Sequence, residues 1–352
     1  MSTCVPLETL LQSASTADAH RDAEALAQYV NEKGFRTLLS DKMIDTLLER
    51  LRSKKSAEDR ERAAIGLGAI ATKVGGKNAP MPLGAEPWLM QALPALLDGY
   101  GDKNEAAKKA AEGAVGAFVP LFPAEAASEL LAVLYQVLES SSAKWQAKVG
   151  ALKIIARLAD LAYEQVGDEL TSITPVLTHA MHETKAEVAK QAIKAATKVC
   201  GVIDNNDIRP FIPDLVGCMD RPDHVPACIK KLSSITFVAE VTGPALAVMV
   251  PLLSRALNER SQTVQRQSVI IVDNLCKLVR DPHTAATFLP SLLPAMERIE
   301  QGAAFPEVRE HAKSAVDTLH TAFAAAEQSK QVASDPAKAR AEAVSYTHLR
   351  AH

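Results

Sequence analysis

One stretch of this 352-residue chain carries a lysine at every fourth position, at Lys190, Lys194 and Lys198. Residues four apart share one face of an α-helix, so these lysines would form a basic stripe. Between Thr184 and Cys200 there are four lysines and one acidic residue, Glu187, which leaves a local charge of +3. Such a stripe suits contact with nucleic-acid phosphates, although ordinary solvated lysines on an exposed helix are the alternative.

Similar basic pairs recur in other segments with helical patterns. They are Lys108 and Lys109, Lys144 and Lys148, Lys153 and Arg157, and Lys230 and Lys231. In an array of repeated helices, one row of helices lines one face, so these pairs could form a continuous basic track. The predicted nucleic-acid-binding residues are Lys144, Lys148, Lys190, Lys194, Lys198, Lys230 and Lys231.

Other candidate chemistry is weaker. His179 and His182 lie one helical turn apart but lack the further converging ligands that a zinc site needs. Gly76-Lys77 is followed by Asn78 and does not match a phosphate-binding loop. Residues 204–207 (DNND) resemble the start of a calcium loop but are better interpreted as a turn between helices. We therefore predict no catalytic residue, metal or cofactor in this chain, which is not itself an enzyme.

Composition favours helices packed on helices. Apolar residues make up 47% of the chain and aromatic residues only 4%, and the formal net charge is −3.

The first residues lack the pattern of a signal peptide, and no apolar run is long enough to span a bilayer. The five cysteines are scattered, as is typical of reduced thiols. These features predict a cytoplasmic protein without membrane contact.

A proline-containing unit repeats along the chain. Pro175, Pro213, Pro251 and Pro290 lie 38, 38 and 39 residues apart, each within an apolar helical pattern, and Pro94 lies about two units earlier. A period of about 40 residues made of two helices is typical of HEAT or armadillo repeats, and a kinked first helix favours HEAT. The sequence predicts an all-α HEAT-repeat α-solenoid of about seven helix pairs.

The repeats divide the chain into four segments. Residues 1–40 are predicted to be an N-terminal helical cap, and residues 41–323 the HEAT-repeat array. Residues 324–344 are interpreted as the start of a following helical segment or linker. The last residues, 345–352 (SYTHLRAH), resemble a translated cloning or sequencing adaptor, so we expect the chain to be a fragment.

The second helix of the sixth unit shows how a repeat is built. Its predicted apolar face consists of Val264, Ser268, Ile271, Leu275 and Leu278. Its predicted solvent face consists of Arg266, Asp273, Lys277 and Arg280. Because one helix pair cannot bury this apolar face alone, stability must come from stacking on neighbouring pairs.

Four phrases of the sequence are more specific than the generic repeat. They are residues 204–213 (DNNDIRPFIP), 236–242 (TFVAEVT), 249–255 (MVPLLSR) and 273–279 (DNLCKLV). Together they resemble the HEAT region of translation elongation factor 3. The resemblance is strongest over about residues 170–282 and extends over 40–323.

The resemblance implies a role in translation. In that family the HEAT array precedes two ATPase cassettes, and the whole factor binds the ribosome and promotes release of deacylated tRNA from the exit site. The implied partner of this region is the small ribosomal subunit, through its RNA and proteins. ATP and magnesium would belong to the cassettes, which do not occur in this sequence.

Two alternatives remain open. A similar HEAT segment occurs in the large ribosome-associated scaffold that activates the amino-acid-starvation kinase, although there it lies deep within the chain. A generic protein-binding HEAT scaffold without RNA contact is the second alternative. Continued HEAT repeats after residue 344 would favour a scaffold, and ATPase cassettes would favour the elongation factor.

The apolar stripe can be tested by placing a charge in it. Ile271→Asp should loosen two adjacent repeats and lower the melting temperature, because burial of an aliphatic side chain contributes roughly 1.5–3 kcal/mol. Thermal unfolding followed by circular dichroism measures this effect. An unchanged melting profile would show that the stripe is assigned to the wrong face.

Overall fold

The structure is a computed structural model that describes residues 5–74 and 86–334, with side chains up to Glu327. Several predictions concern residues outside this range. They are those for the first of the five cysteines, Cys4, for the pair Gly76-Lys77, for residues 335–344 of the following segment or linker and for the adaptor-like residues 345–352.

The chain forms two compact units, Met1–Val199 and Cys200–His352, which we describe separately. The described helices of the first unit are α1 (Val5–Leu11), α2 (Thr16–Lys33), α3 (Thr37–Ser40), α4 (Met43–Leu51), α5 (Ala57–Val74), α6 (Glu86–Met90), α7 (Leu93–Gly99), α8 (Glu105–Phe118), α9 (Ala127–Glu139), α10 (Trp145–Leu161), α11 (Tyr163–Asp168), α12 (Leu170–Met181) and α13 (Ala186–Cys200), whose last residue falls in the second unit. Those of the second unit are α14 (Ile212–Asp220), α15 (Val225–Leu232), α16 (Gly243–Leu257), α17 (Gln262–Leu278), α18 (Pro282–Phe288), α19 (Leu293–Gly302) and α20 (Pro306–Ser334).

The helices form consecutive pairs, and the described residues contain no β-strand. After α1 and α2 the pairs are α4 with α5, α7 with α8, α9 with α10, α12 with α13, α14 with α15, α16 with α17, and α19 with α20. The prediction of an all-α array of about seven helix pairs is confirmed. The segment boundaries at residues 40, 323 and 344 stay predictions.

Local side-chain caps explain where several second helices begin. Ser15 caps α2 by accepting a hydrogen bond from the backbone N–H of Asp18 at 3.2 Å, and Ser56 accepts one from Asp59 at 3.0 Å before α5. Asn104 caps α8 in the same way through Ala107 at 3.0 Å. Each cap satisfies one of the backbone donors that a helix start leaves unpaired.

The recurring prolines act at the first helix of each pair. Pro94 and Pro213 lie in the first turns of α7 and α14, where the missing N–H costs nothing. Pro175 and Pro251 lie inside α12 and α16, where proline removes a backbone hydrogen bond. The expectation that these prolines start the first helix is confirmed for Pro94 and Pro213, and a bend at Pro175 and Pro251 stays a prediction.

The second helices of the first unit pack closely along one another. Helix α5 packs between α2 and α8. A side-chain Cβ at Gly68 would lie 3.1 Å from the Cα of Ala114, so glycine there permits close approach of α5 and α8. Apolar side chains from both helices, such as Leu67, Ile70 and Ala111, are fully buried. Helix stacking of this kind is the source of the core.

The predicted stripe of α17 is buried at four of its five positions, with Leu278 half-buried, and one residue of its predicted solvent face is buried as well. Val264, Ser268, Ile271 and Leu275 are buried as expected. Asp273, assigned to the solvent face, is only 1% exposed, so that assignment was wrong. The reason is that the next pair supplies polar partners, which the periodicity of a single helix does not reveal.

The buried carboxylate of Asp273 joins two consecutive pairs. It accepts hydrogen bonds from His311 Nδ1 at 2.8 Å and Ser314 Oγ at 2.9 Å, both on α20. Lys277 Nζ, on its own helix, donates at 2.9 Å. Burial by itself raises the pKa of Asp273, but the hydrogen bonds from His311, Lys277 and Ser314 outweigh it and lower that pKa.

Polar contacts between neighbouring repeats recur at a sequence separation close to the repeat length. In the first unit, Arg60 on α5 forms a bidentate ion pair with Asp102, which precedes α8. Its Nε donates to Oδ2 at 2.6 Å and its Nη2 donates to Oδ1 at 2.9 Å. In the second unit, Arg266 on α17 contacts Glu307 at the start of α20 at 2.9 Å. In both cases a basic residue near the start of one second helix pairs with an acidic residue at the start of the next.

Two of the specific sequence phrases contact each other in the second unit. Asp207 Oδ2 accepts hydrogen bonds from the backbone N–H groups of Val238 and Ala239, both at 2.8 Å. Asn205, which is 2% exposed, donates to the carbonyl oxygen of Glu240 at 3.1 Å and accepts from the N–H of Ile208 at 3.1 Å. The residues 204–207 therefore form a turn that anchors the loop before α16, as the interpretation as a turn predicted.

The joint at Asp273 should be a major contributor to the stability of the second unit. Asp273→Asn should lower the free energy of unfolding by about 3 kcal/mol, because it removes one charge from a buried hydrogen-bonded cluster. Urea unfolding measures this loss. Asp317→Asn, an exposed change on α20, is the matched control and should alter stability by less than about 0.5 kcal/mol.

The difference in stability between the parent protein and Asp273→Asn should depend on pH. The folded-state pKa of Asp273 is lowered, so its stabilising contribution is present above the unfolded value of about 3.9 and is lost as pH falls toward the folded value. The difference between the parent protein and Asp273→Asn should shrink below about pH 4. Equal stability of the two proteins at pH 7 would contradict the assigned role.

Candidate nucleic-acid interface

Helices α10 and α13 lie side by side and run in the same direction. Near the start of α10, Lys148 forms an ion pair with Glu183, which precedes α13. Near the ends of the two helices, Lys198 Nζ lies 3.0 Å from Asp160 Oδ1. The separations in sequence, 35 and 38 residues, are close to one repeat. Two contacts at opposite ends fix the relative register of the helices.

Between these two contacts the helices expose four basic side chains. Lys190 and Lys194 lie two turns and one turn before Lys198, and all are exposed. Lys153 and Arg157 lie in the corresponding turns before Asp160 and are exposed as well. Because α-helical positions repeat every 3.6 residues, these side chains project from the same face as the Lys198–Asp160 contact. We call Lys153, Arg157, Lys190 and Lys194 the basic quartet.

The basic quartet has no internal counter-ions in the part of the chain that the structure describes. Its four members form no ion pair with any described carboxylate, in contrast to Lys148 and Lys198. Side chains three to four residues apart on one helix have Cβ atoms about 5–6 Å apart, and packed helices lie about 8–10 Å apart. The quartet therefore offers two short rows of cations on a fixed scaffold.

Lys144 and Lys148 are engaged in contacts within the fold. Lys144 Nζ donates to the carbonyl oxygens of Gly101 at 3.2 Å and Asp98 at 3.4 Å, which follow or end α7. The C-terminal end of a helix carries unpaired carbonyls and partial negative charge, which a lysine neutralises. The Lys148 side chain is only 12% exposed because of its pair with Glu183. Both residues hold one repeat to another.

Lys230 and Lys231 belong to α15 in the second unit. Lys231 Nζ donates to Asp214 Oδ1 at 2.6 Å, and this hydrogen bond raises the pKa of Lys231. Lys230 is exposed and forms no ion pair with a described residue. Each unit thus has its own basic residues. The continuous track along the whole array stays a prediction.

The ion pairs of Lys148 and Lys198 were not predicted from the sequence. The sequence does contain a signal that could have predicted them, because each lysine has an acidic residue about one repeat away. These residues are Glu183 for Lys148 and Asp160 for Lys198. Lys153 and Arg157 were noticed as a basic pair, but their place beside Lys190 and Lys194 follows only from the register of α10 and α13.

The histidines and cysteines offer no comparable site among the residues described. His179 and His182 are exposed at the end of α12, and no described group of three His, Cys, Asp or Glu residues is placed to hold a metal ion. Burial raises the pKa of the Cys200 and Cys276 thiols to about 12 in each case, so both are protonated near neutral pH.

A helix of the described residues would need about 20 predominantly apolar residues to span a bilayer. No single helix meets these requirements. The segments Glu105–Leu121 and Ala124–Glu139 meet them only as a pair, and that pair is bent by 115°.

Comparison with known proteins identifies related chains. A model of the EF3 N-terminal HEAT repeat matches residues 19–196, and a model of the elongation factor 3/GNC1 HEAT repeat matches residues 224–330. The mRNA export factor elf1 of Schizosaccharomyces pombe is 41% identical over 321 residues, which cover 91% of this chain and 30% of that protein. Elongation factor 3A of Saccharomyces cerevisiae is 35% identical over 316 residues, covering 89% of this chain and 29% of that protein.

Elongation factor 3 of Gonapodya prolifera is similar too, with 34% identity over 313 residues that cover 89% of this chain and 28% of that protein. Among solved structures, the karyopherin Kap121p bound to the extreme C-terminus of the phosphatase Cdc14p matches 90% of this chain and 34% of its own, with 13% identity and a TM-score of 0.43. The chain spans about 30% of the length of the curated relatives above.

The helix pairs and the two matched models define a HEAT-repeat protein. More particularly, the chain belongs to the elongation factor 3 HEAT-repeat family, as the four sequence phrases predicted. Both matched models describe HEAT repeats, as the repeat pattern of the sequence predicted.

The structural and the exposed lysines can be separated by stability measurements. Lys148→Ala should lower the free energy of unfolding of the first unit by about 1–2 kcal/mol, because it leaves Glu183 half-buried without its charged donor. Lys190→Ala, the matched control in an exposed position, should change it by less than about 0.5 kcal/mol. Urea denaturation measures both values, and equal losses would refute the distinction.

Proposed function

We propose that this HEAT region binds the ribosome during translation elongation and that the basic quartet contacts ribosomal RNA. The observation that carries the proposal is the exposed, unpaired state of Lys153, Arg157, Lys190 and Lys194 among the described residues. Membership in the elongation factor 3 family supports a translation-related role.

The proposed contact is electrostatic and independent of RNA sequence. Lysine and arginine side chains that neutralise phosphates release condensed counter-ions, so binding weakens as salt rises. The chain has a net charge of −3, so attraction to RNA must come from a local patch rather than from the whole molecule. Ordering these exposed side chains on a phosphate backbone costs side-chain entropy, which the release of counter-ions must offset.

In the proposed role, this region supplies docking to the small ribosomal subunit in the cytoplasm. Release of deacylated tRNA from the exit site would be performed by a full-length member of the family. ATP hydrolysis would belong to its cassettes, with ATP and magnesium bound there. Lys230 is a second proposed RNA contact, within the second unit.

A second candidate function is a role in mRNA export. It is favoured by one specific observation, the 41% identity to the mRNA export factor elf1 over 91% of the chain. Both functions use RNA contact, so the basic quartet serves either of them. They differ in which RNA is bound, a structured ribosomal subunit or a polyadenylated messenger.

Charge reversal on α13 tests the proposed contact. The double variant Lys190→Glu with Lys194→Glu should bind purified small ribosomal subunits at least about tenfold more weakly in co-sedimentation. Loss of two phosphate contacts should also reduce the slope of log affinity against log salt by about 1.5. The control is Lys54→Glu with Lys55→Glu, two exposed lysines before α5 that form no ion pair with a described residue.

The result separates the two candidate functions. Unchanged affinity of the α13 variant across the salt series would contradict RNA contact by the quartet. Tight binding to poly(A) RNA, lost in the α13 variant, with no binding to small subunits would favour the export role over the ribosomal one.

A further inference from the structure

The first unit also contains a groove whose chemistry differs from that of the basic quartet. Helices α2, α5 and α8 enclose a volume of about 910 Å³. Small residues make up much of its lining, and the buried alanines Ala27, Ala64 and Ala114 form its floor. The volume is in the range of sites that bind ligands or peptide segments, and a floor of small side chains leaves room for larger side chains of a partner.

The groove contains a buried carboxylate without a counter-ion. Glu61 on α5 lines it and is only 9% exposed. Its Oε1 accepts a hydrogen bond from the Thr16 hydroxyl at 2.6 Å. No Lys, Arg or His of the described chain forms an ion pair with Glu61. A buried charge is costly unless a partner of opposite charge compensates it.

The other charged groups of the groove leave this carboxylate unmatched. Glu24 and Glu105 add negative charge, and Glu105 is 3.8 Å from Lys108, which lies outside the groove. Lys73 and Lys109 line the groove in exposed positions and form no ion pair with a described residue. The deepest charged position is therefore acidic, which disfavours a nucleic acid as the occupant.

We propose that this groove binds a peptide segment of a partner protein, with an arginine or lysine of the peptide paired to Glu61 and its flanking aliphatic side chains packed on the alanine floor. The guanidinium group suits the site best, because its planar donors match the geometry of a carboxylate. The groove thus provides a protein-docking surface, distinct from the RNA contact proposed for α10 and α13.

Two glycines of α8 provide a matched pair of variants. A Cβ added at Gly113 or at Gly116 meets no atom within 4 Å, so a larger residue fits at either position without a clash at Cβ. Gly113 lines the groove and Gly116 does not. Replacement of a helical glycine by leucine also favours the helix. Gly113→Leu therefore fills the groove, and Gly116→Leu is its control.

The test uses the full chain and a defined probe, the peptide N-acetyl-Ala-Leu-Arg-Leu-Ala-amide, in an NMR titration. An analogue with citrulline in place of arginine keeps the shape and removes the charge. We expect saturable binding that is at least about threefold tighter for the arginine peptide. Gly113→Leu should abolish binding, Gly116→Leu should retain it, and Glu61→Gln should remove the preference for arginine over citrulline.

Several results would overturn the proposal. They are equal binding of the two peptides, a preference for arginine that persists in Glu61→Gln, undiminished binding to Gly113→Leu, and the absence of saturable binding at millimolar peptide. Sedimentation of the protein alone supplies one more test. A dimer that Gly113→Leu dissociates would assign the groove to a second copy of this chain instead.

Discussion

A pair of short helices in this chain cannot bury its own apolar face, and this constraint governs the rest of the structure. Second helices pack against their neighbours in the series, as α5 does between α2 and α8 and as α17 does against α20, so the core forms between repeats. Polar groups obey the same rule. The ion pair of Arg60 with Asp102 and the cluster around Asp273 both join residues about 40 positions apart.

The same stacking decides which cations are available for a partner. Basic residues near the start of a second helix, such as Lys148 and Arg266, lie beside an acidic residue of the next repeat and are neutralised there. Lys190 lies as close to the start of α13 as Arg266 does to the start of α17, yet neither Lys190 nor Lys194 has a neighbour of that kind among the described residues. The presence of an acidic residue about one repeat away, rather than position along the helix, therefore separates the paired lysines from the unpaired ones.

Much of the fold was predictable from the sequence, because proline spacing and apolar periodicity are local properties. The regular spacing of Pro175, Pro213 and Pro251 is enough to reveal the helix pairs, and the specific phrases reveal the family. The burial of Asp273 was not predictable from its own helix, because its partners His311 and Ser314 belong to the next pair. The quartet and the groove likewise depend on how separate helices align, which no single segment encodes.

The claim that the exposed faces of α10 and α13 meet RNA is tested most directly by photo-crosslinking. A benzoylphenylalanine in place of Thr197, which is exposed on α13 between Lys194 and Lys198, should cross-link to ribosomal RNA when the protein is bound to small ribosomal subunits. Cross-links to ribosomal proteins alone, or none while the protein is bound, would contradict the account.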